Sequence, residues 1–347
     1  MKNTLKHIVF LTPGFAQNEQ DTTTIPALQE YIFALKKEQP ELKITIIAFQ
    51  FPFTKSSYDW HNCNVIPLNG KNKKWKKILI WNSAFQSLKK LNKKQPISII
   101  HSFWLGECAF VGNLFSNRFR IKHICTLMGQ DVKKKNFYLK LLPLQNMNLI
   151  CLSTFQKQYL LGNDSFQPKI IPWGITKTKF LPSTQKTIDI IGVGSLIPVK
   201  NYELFIDIIF EIHKTLPLKV VLLGDGKDKE KLQKKIKQLQ LENAITLTGK
   251  LSYIKTLEYI SKAKVLLHTS HFESFGMIFP EALESKTLIV SKNVGCAFPS
   301  ENWFIAETIE EMILACKKGL ISSFATNCDN PFLIEKTVEN YLKVYNE

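Results

Sequence analysis

Two glutamates, Glu273 and Glu281, stand eight positions apart in the stretch HTSHFESFGMIFPEALESK, with Gly276 between them. An ionised carboxylate only accepts hydrogen bonds, so the pair suits sugar or ribose hydroxyls. Gly276 separates an apolar strand around Val265, Leu266 and Leu267 from an amphipathic helix expected from about Met277. A glycine at such a junction lets the backbone come close to a ligand, and free amides at a helix start favour a phosphate. Pro280 fits the first turn, where an N–H has no intrahelical partner to lose. The ligand these residues describe is part anion and part polyol, as a nucleotide sugar is. Glu281 alone fits a solvated helix position better than a ligand contact; the order of strand, glycine turn and helix is what favours a site.

A second segment offers the matching cation. An apolar strand at 187–193 leads into Gly194, Ser195, Leu196, Ile197, Pro198, Val199, Lys200 and Asn201, and a helix is expected over 202–214. The pattern fails as a dinucleotide fingerprint, because Ile197 stands where the third glycine belongs. A lysine ahead of a helix is either surface charge or a phosphate ligand. No D-x-D occurs anywhere in the chain, so a metal-bridged diphosphate is not expected.

The stretch ESFGMIFPEALESK resembles the signature of family 4 retaining glycosyltransferases of the GT-B fold (glycosyl transferases group 1), closely over the second half of the chain and loosely over the first. The resemblance implies an α/β protein with two Rossmann-like domains whose parallel sheets face a central cleft. An acceptor-binding domain is expected over 1–170, a linker over 171–186 and a nucleotide-sugar domain over 187–330. The helix at 331–347 is expected to pack back on the first domain. By the same resemblance Glu273 holds donor-sugar hydroxyls and Glu281 the ribose. Gly194, Ser195 and Lys200 hold the diphosphate, Ser274, Phe275, Gly276 and Met277 line the donor site, and Gly249 and Leu251 flank the nucleobase. Glu273 and Lys200 are the catalytic pair, and no enzymic nucleophile is named, since the departing phosphate oxygen takes the acceptor proton. Gly14, His101 and Asp131 fall on the acceptor side, with a plain turn open to Gly14, a hydrogen-bonded structural role to His101 and the ordering of a loop to Asp131. The chain departs from the family pattern where Ser195 replaces an arginine and where Phe103 and Met128 replace histidines. In the first loop it keeps the single glycine Gly14.

Composition sets the frame for these residues. With 347 residues and 45% apolar ones, two domains with proper cores are within reach. Seven scattered cysteines with no C-x-x-C pair suit a reducing compartment and no zinc site. Residues 1–15 read as a buried strand, not as a signal peptide, because Pro13 and Gly14 cut the apolar run short. Further strands are expected at 43–49, 64–68, 97–103, 122–127 and 149–153, with an aromatic loop over 51–63.

The charge of +17 is uneven. Residues 1–170 hold 24 basic and 9 acidic residues, a net of +15, and the remainder 22 and 20, a net of +2. The densest basic stretch, 71–94, is bounded by Lys71 and Lys94 and carries Ile78, Trp81, Phe85 and Leu88 at helical spacing. That stripe either packs on the sheet or lies at a bilayer interface, and the lysines favour an anionic membrane surface. The expectation is a cytoplasmic protein, peripheral at the inner face of the membrane. It transfers sugar to a saccharide or lipid-linked acceptor in cell-surface polysaccharide or glycolipid synthesis, without a cofactor or metal and without nucleic acid. A nucleotide-sugar epimerase and a non-catalytic nucleotide-sugar-binding subunit are the alternatives, and the broken fingerprint counts against an NAD oxidoreductase.

Overall fold

The computed structural model describes residues 5–160, 167–180, 185–325 and 329–347; Pro182 and Cys328 lie outside the described residues. The chain divides into two compact units, Met1–Gly174 with Ile334–Glu347, and Ile175–Leu333.

Unit 1 is built on eight strands: β1 His7–Gly14, β2 Lys43–Phe51, β3 Tyr58–Trp60, β4 Cys63–Pro67, β5 Ile99–Phe103, β6 Lys122–Thr126, β7 Asn148–Cys151 and β8 Lys169–Ile170. Their order is β3-β4-β2-β1-β5-β6-β7-β8, parallel except for β3. Helices cover both faces of a parallel sheet, so its strands read as apolar runs: seven of the eight residues of β1 are buried. The short strand β3 is a difference from the expected loop. It forms a hairpin with β4 whose turn residues, His61 and Asn62, both have positive φ, the primed-turn geometry that matches strand twist. The sequence His-Asn carries a weak signal for that turn because it lacks a glycine.

The helix Lys77–Lys94 buries Ile80, Ala84 and Leu88 against β1, β2 and the helix Glu107–Phe119, with Trp81 and Phe85 half-buried beside them. The stripe expected through Ile78 is therefore corrected: Ile78 is 76% exposed. The helix Ile334–Asn346 belongs to unit 1, where Tyr345 bonds Tyr31 at 2.6 Å and Tyr341 bonds Thr126 at 2.9 Å.

Unit 2 has six parallel strands, β9 Ile188–Val193, β10 Val220–Leu223, β11 Ile245–Gly249, β12 Ala263–His268, β13 Leu288–Ser291 and β14 Trp303–Ile305. The order is β11-β10-β9-β12-β13-β14. The chain starts at β9, builds one side through β10 and β11, then returns to the other side of β9 with β12. The helix Tyr202–His213 follows β9 and buries Phe205, Ile206, Ile208, Ile209 and Ile212, an i, i+3, i+4 face that seats it on the sheet. Each such side chain contributes roughly 1.5–3 kcal/mol by leaving water. Together they fix where the loop ahead of the helix sits.

Candidate functional site

Strand order decides where unit 2 can bind a ligand. In an open parallel sheet the crevice lies beyond the carboxyl ends of two neighbouring strands whose connections run in opposite directions. Here those strands are β9 and β12. The loop after β9 carries Gly194 to Asn201 and the loop after β12 carries Thr269 to Gly276. The two loops are tied together: the His271 amide donates to the Val199 carbonyl at 2.9 Å, and the Thr269 hydroxyl donates to the carbonyls of Lys200 and Asn201, each at 3.0 Å.

Lys200 and Glu273 meet in this crevice as a direct ion pair, the ammonium on Oε1. His268 Nε2 also reaches Oε1, at 3.0 Å, and the Ser270 hydroxyl does so at 3.2 Å. Three donors thus converge on one carboxylate oxygen, and Oε2 has no partner among the described residues. Burial acts to raise the Glu273 carboxyl, but the His268 N–H and the Lys200 charge outweigh it and hold the pKa at about 2. Glu273 is an anion at any working pH, so it accepts hydrogen bonds and does not serve as a general acid. His268 is buried, its pKa lowered chiefly by desolvation, so it is neutral and donates through Nε2. Its Nδ1 is buried without a partner, and its ring packs edge-on against Phe279 at 4.6 Å.

Gly276 has φ +85, a conformation that side-chain-bearing residues rarely adopt, and a Cβ there would fall 2.6 Å from the Phe279 ring. That same Cβ would stand 3.6 Å from Glu273 Cγ, so the glycine turn adjoins the ion pair. The N–H groups of Gly276 and Met277 have no acceptor among the described residues. The helix that follows, Ile278–Glu284, has only seven residues. The donors on offer are therefore these local amides more than a long helix dipole. Glu281 is buried within this helix, and Ser274 and Phe275 are buried on the turn. Gly194 closes the other side with φ +150, where a Cβ would lie 2.8 Å from the Tyr202 hydroxyl and 3.5 Å from Lys200 Cε. Ser195 is exposed on the same loop. Gly249 and Leu251 stand at the end of β11, the edge strand, with open space around Gly249.

Sequence reasoning missed His268, Ser270 and Tyr202 as neighbours of Glu273. A single histidine at the end of an apolar strand carries no spacing signal; only the turn of the loop brings it back onto the carboxylate.

The acceptor-side residues fall in unit 1 and separate into two kinds. His101 is fully buried in β5, with Nδ1 2.7 Å from the Tyr345 hydroxyl and Nε2 2.8 Å from Thr126 Oγ1. Gly14 is buried at the end of β1 and its carbonyl accepts from the Thr12 hydroxyl at 2.8 Å. Neither offers the open ligand contact expected of it, and both serve the packing of unit 1. Phe103, standing where the family places a histidine, is buried with its ring 4.2 Å from that of His101. Asp131 instead borders a cavity. Its carboxylate accepts from the amides of Gly129 at 2.7 Å, Leu105 at 2.8 Å and Met128 at 3.3 Å, clamping two loops together. Burial raises its pKa against the pull of those amides.

A parallel sheet with a crevice at β9 and β12, following a first α/β unit, defines the GT-B class. Known structures agree on the fold: a sucrose-phosphate synthase from Thermosynechococcus elongatus superposes with TM-score 0.73 over 98% of this chain and 95% of that one, at 16% identity. Anabaena HepE, solved in complex with UDP and glucose, gives TM-score 0.71 over 97% and 98%, also at 16% identity. Residues 176–300 match the family described as glycosyl transferases group 1, a span that contains all the crevice residues named above. An uncharacterized glycosyltransferase of Methanocaldococcus jannaschii is 27% identical over 232 residues. That match spans 64% of this chain and 64% of the archaeal protein. Over residues 176–300 the chain is thus similar to the group 1 glycosyltransferases.

Proposed function

We propose that the protein moves a sugar from a nucleotide diphosphate donor to an acceptor with retention of anomeric configuration, without a metal ion. The observation that carries this reading is the meeting of Lys200, Glu273, Gly194 and Gly276 at the end of β9 and β12. Lys200 and the free amides of Gly276 and Met277 are suited to the diphosphate, where negative charge grows as the bond to the sugar breaks. Glu273 presents Oε2 for a sugar hydroxyl while Oε1 is held by three donors. Glu281 is assigned the ribose and the turn near Gly249 and Leu251 the base. Because HepE was crystallised with UDP and glucose, UDP-glucose is the first donor to try. The test is incubation of the purified protein with a panel of nucleotide sugars and acceptors, reading released nucleotide. Release that requires acceptor and vanishes in Lys200→Ala supports transfer; conversion of donor without acceptor replaces it with epimerisation.

We further propose that the protein docks on an anionic membrane face. At the start of the helix Lys77–Lys94, Trp75, Ile78 and Leu79 are 70%, 76% and 60% exposed. Lys71, Lys73, Lys74, Lys76 and Lys77 surround them, and no acidic residue occurs between Asp59 and Glu107. Lys73 and Lys76 lie 6.0 and 5.2 Å from the Trp75 ring centroid. An apolar tip ringed by lysines fits an interface in which each lysine near the surface gains about 1 kcal/mol. Among the described residues no helix is long and apolar enough to cross a membrane.

A further inference from the structure

The helix Tyr202–His213 begins without a side-chain cap. Asn201, just before it, has φ +52 and its side chain makes no capping hydrogen bond. The amides of Tyr202, Glu203 and Leu204 have no acceptor among the described residues, and the first bond of the helix runs from the Phe205 amide to the Asn201 carbonyl. Twelve residues align enough peptide dipoles to favour an anion at this end. Many helices start bare; what marks this one is the side chain that opens it.

Tyr202 is 6% exposed and belongs to the core of unit 2, its ring edge-on to Phe205 at 6.1 Å. Its hydroxyl has no hydrogen-bond partner among the described residues and is not sealed from solvent. Buried polar groups are normally paired, so a hydroxyl anchored in this way with no mate inside the protein is placed for one outside it. A glycine keeps it uncovered. At Gly194 a Cβ would lie 2.8 Å from the Tyr202 oxygen and 3.5 Å from Lys200 Cε, so any side chain there would cover the hydroxyl and crowd the lysine. Hydroxyl and lysine stem thus flank the same space, at the helix end where the free amides are. Burial and then the Glu273 charge push the phenol's pKa up, so it keeps its proton and meets an anion as a donor. Glu273 is the residue assigned to the sugar, which sets the phenol toward the sugar side of a diphosphate.

We infer that Tyr202 is a diphosphate-binding residue: its hydroxyl donates to the sugar-bearing phosphate of a nucleoside diphosphate donor, beside Lys200, and makes the crevice prefer diphosphates to monophosphates. This role rests on the donor reading above, but every residue in it belongs to unit 2 and binding needs no turnover. Wild-type, Tyr202→Phe and Lys200→Ala proteins are titrated calorimetrically with UDP, GDP and ADP. The tightest binder is then compared with its own monophosphate, measured by displacement. Phenylalanine keeps the ring on Phe205 and deletes only the oxygen. The expected result is a diphosphate affinity about tenfold lower in Tyr202→Phe, the size of one hydrogen bond to a charged group, with monophosphate affinity and melting temperature unchanged. Diphosphate affinity equal to wild type, or equal loss for monophosphate and diphosphate, overturns it. Loss in Lys200→Ala without loss in Tyr202→Phe removes the tyrosine and leaves the donor reading standing. Binding of none of the three diphosphates by the wild-type protein removes both.

Discussion

Lys200 and Glu273, 73 positions apart in the chain, form an ion pair in the crevice beyond β9 and β12. His268 and Ser270 reach the same carboxylate oxygen, so Glu273 keeps two partners besides the lysine.

Glu273→Gln and Lys200→Ala are each expected to lower transfer by on the order of 10²–10³-fold, the range for losing one preorganised electrostatic contact. The two substitutions should be non-additive because they break one pair. Initial rates of nucleotide release for the single and double variants decide this; near-normal turnover in either single variant removes the residue from the site.

His268→Phe keeps the ring packed on Phe279 and deletes the N–H to Glu273. The expected result is a fall in kcat with the melting temperature nearly kept, and partial recovery in His268→Gln, whose amide also donates. Full activity in His268→Phe with loss in His268→Gln would show that the histidine acts through packing alone.

Acid should unfold the protein early. Burial lowers the pKa of His101 well below its ordinary value, of His123 to about 3 and of His7 to about 4. These groups are neutral when folded and charge freely when unfolded, so their stability is fully present above pH 6.5 and is lost as pH falls. For His101 and His123, both wholly buried, the loss is up to about 2 kcal/mol each by pH 5. Glu273, with its pKa at about 2, adds a further loss only below about pH 4.5. Melting temperatures at pH 7.5, 6.0 and 5.0 should therefore decline steeply; a flat profile contradicts the buried neutral histidines.

Tyr345→Phe removes one hydroxyl that serves both Tyr31 and His101. Leaving two buried polar groups without it should cost roughly 1–3 kcal/mol for each. Urea unfolding at neutral pH measures this, with an unchanged m-value if the fold survives.

On vesicles, the wild-type protein should pellet with phosphatidylglycerol and not with phosphatidylcholine, and less so as salt rises. Replacing Trp75, Ile78 and Leu79 together with serine should release it. Salt-insensitive recovery on both lipids refutes membrane docking.

The second unit was legible in the sequence because its site is local: strand, E-S-F-G, helix and E-A follow one another within a short run, and apolar strands such as VVLL and LIVS announce themselves. The meeting of Lys200 with Glu273 was legible only through resemblance, since nothing in spacing joins positions so far apart. The first unit was read less well. Ile78 was assigned to the buried stripe, but in a helix with apolar residues on several sides, packing against Phe115 and its neighbours chose Ile80, Ala84 and Leu88 instead. His101 was set near a ligand because open sheets place contacts at strand ends, and the structural role left open beside that reading is the one the hydrogen bonds support. Tyr345, more than two hundred positions away, is what fills the space beside it.

Unit 1 is assembled from two stretches with the whole of unit 2 between them. A ribosome therefore finishes unit 2 before unit 1 has its last helix, the one that supplies partners to Tyr31, His101 and Thr126. Until Tyr341 and Tyr345 emerge, the nascent first sheet has an uncovered flank with polar groups facing no mate. The half translated first is thus the half whose contacts are completed last.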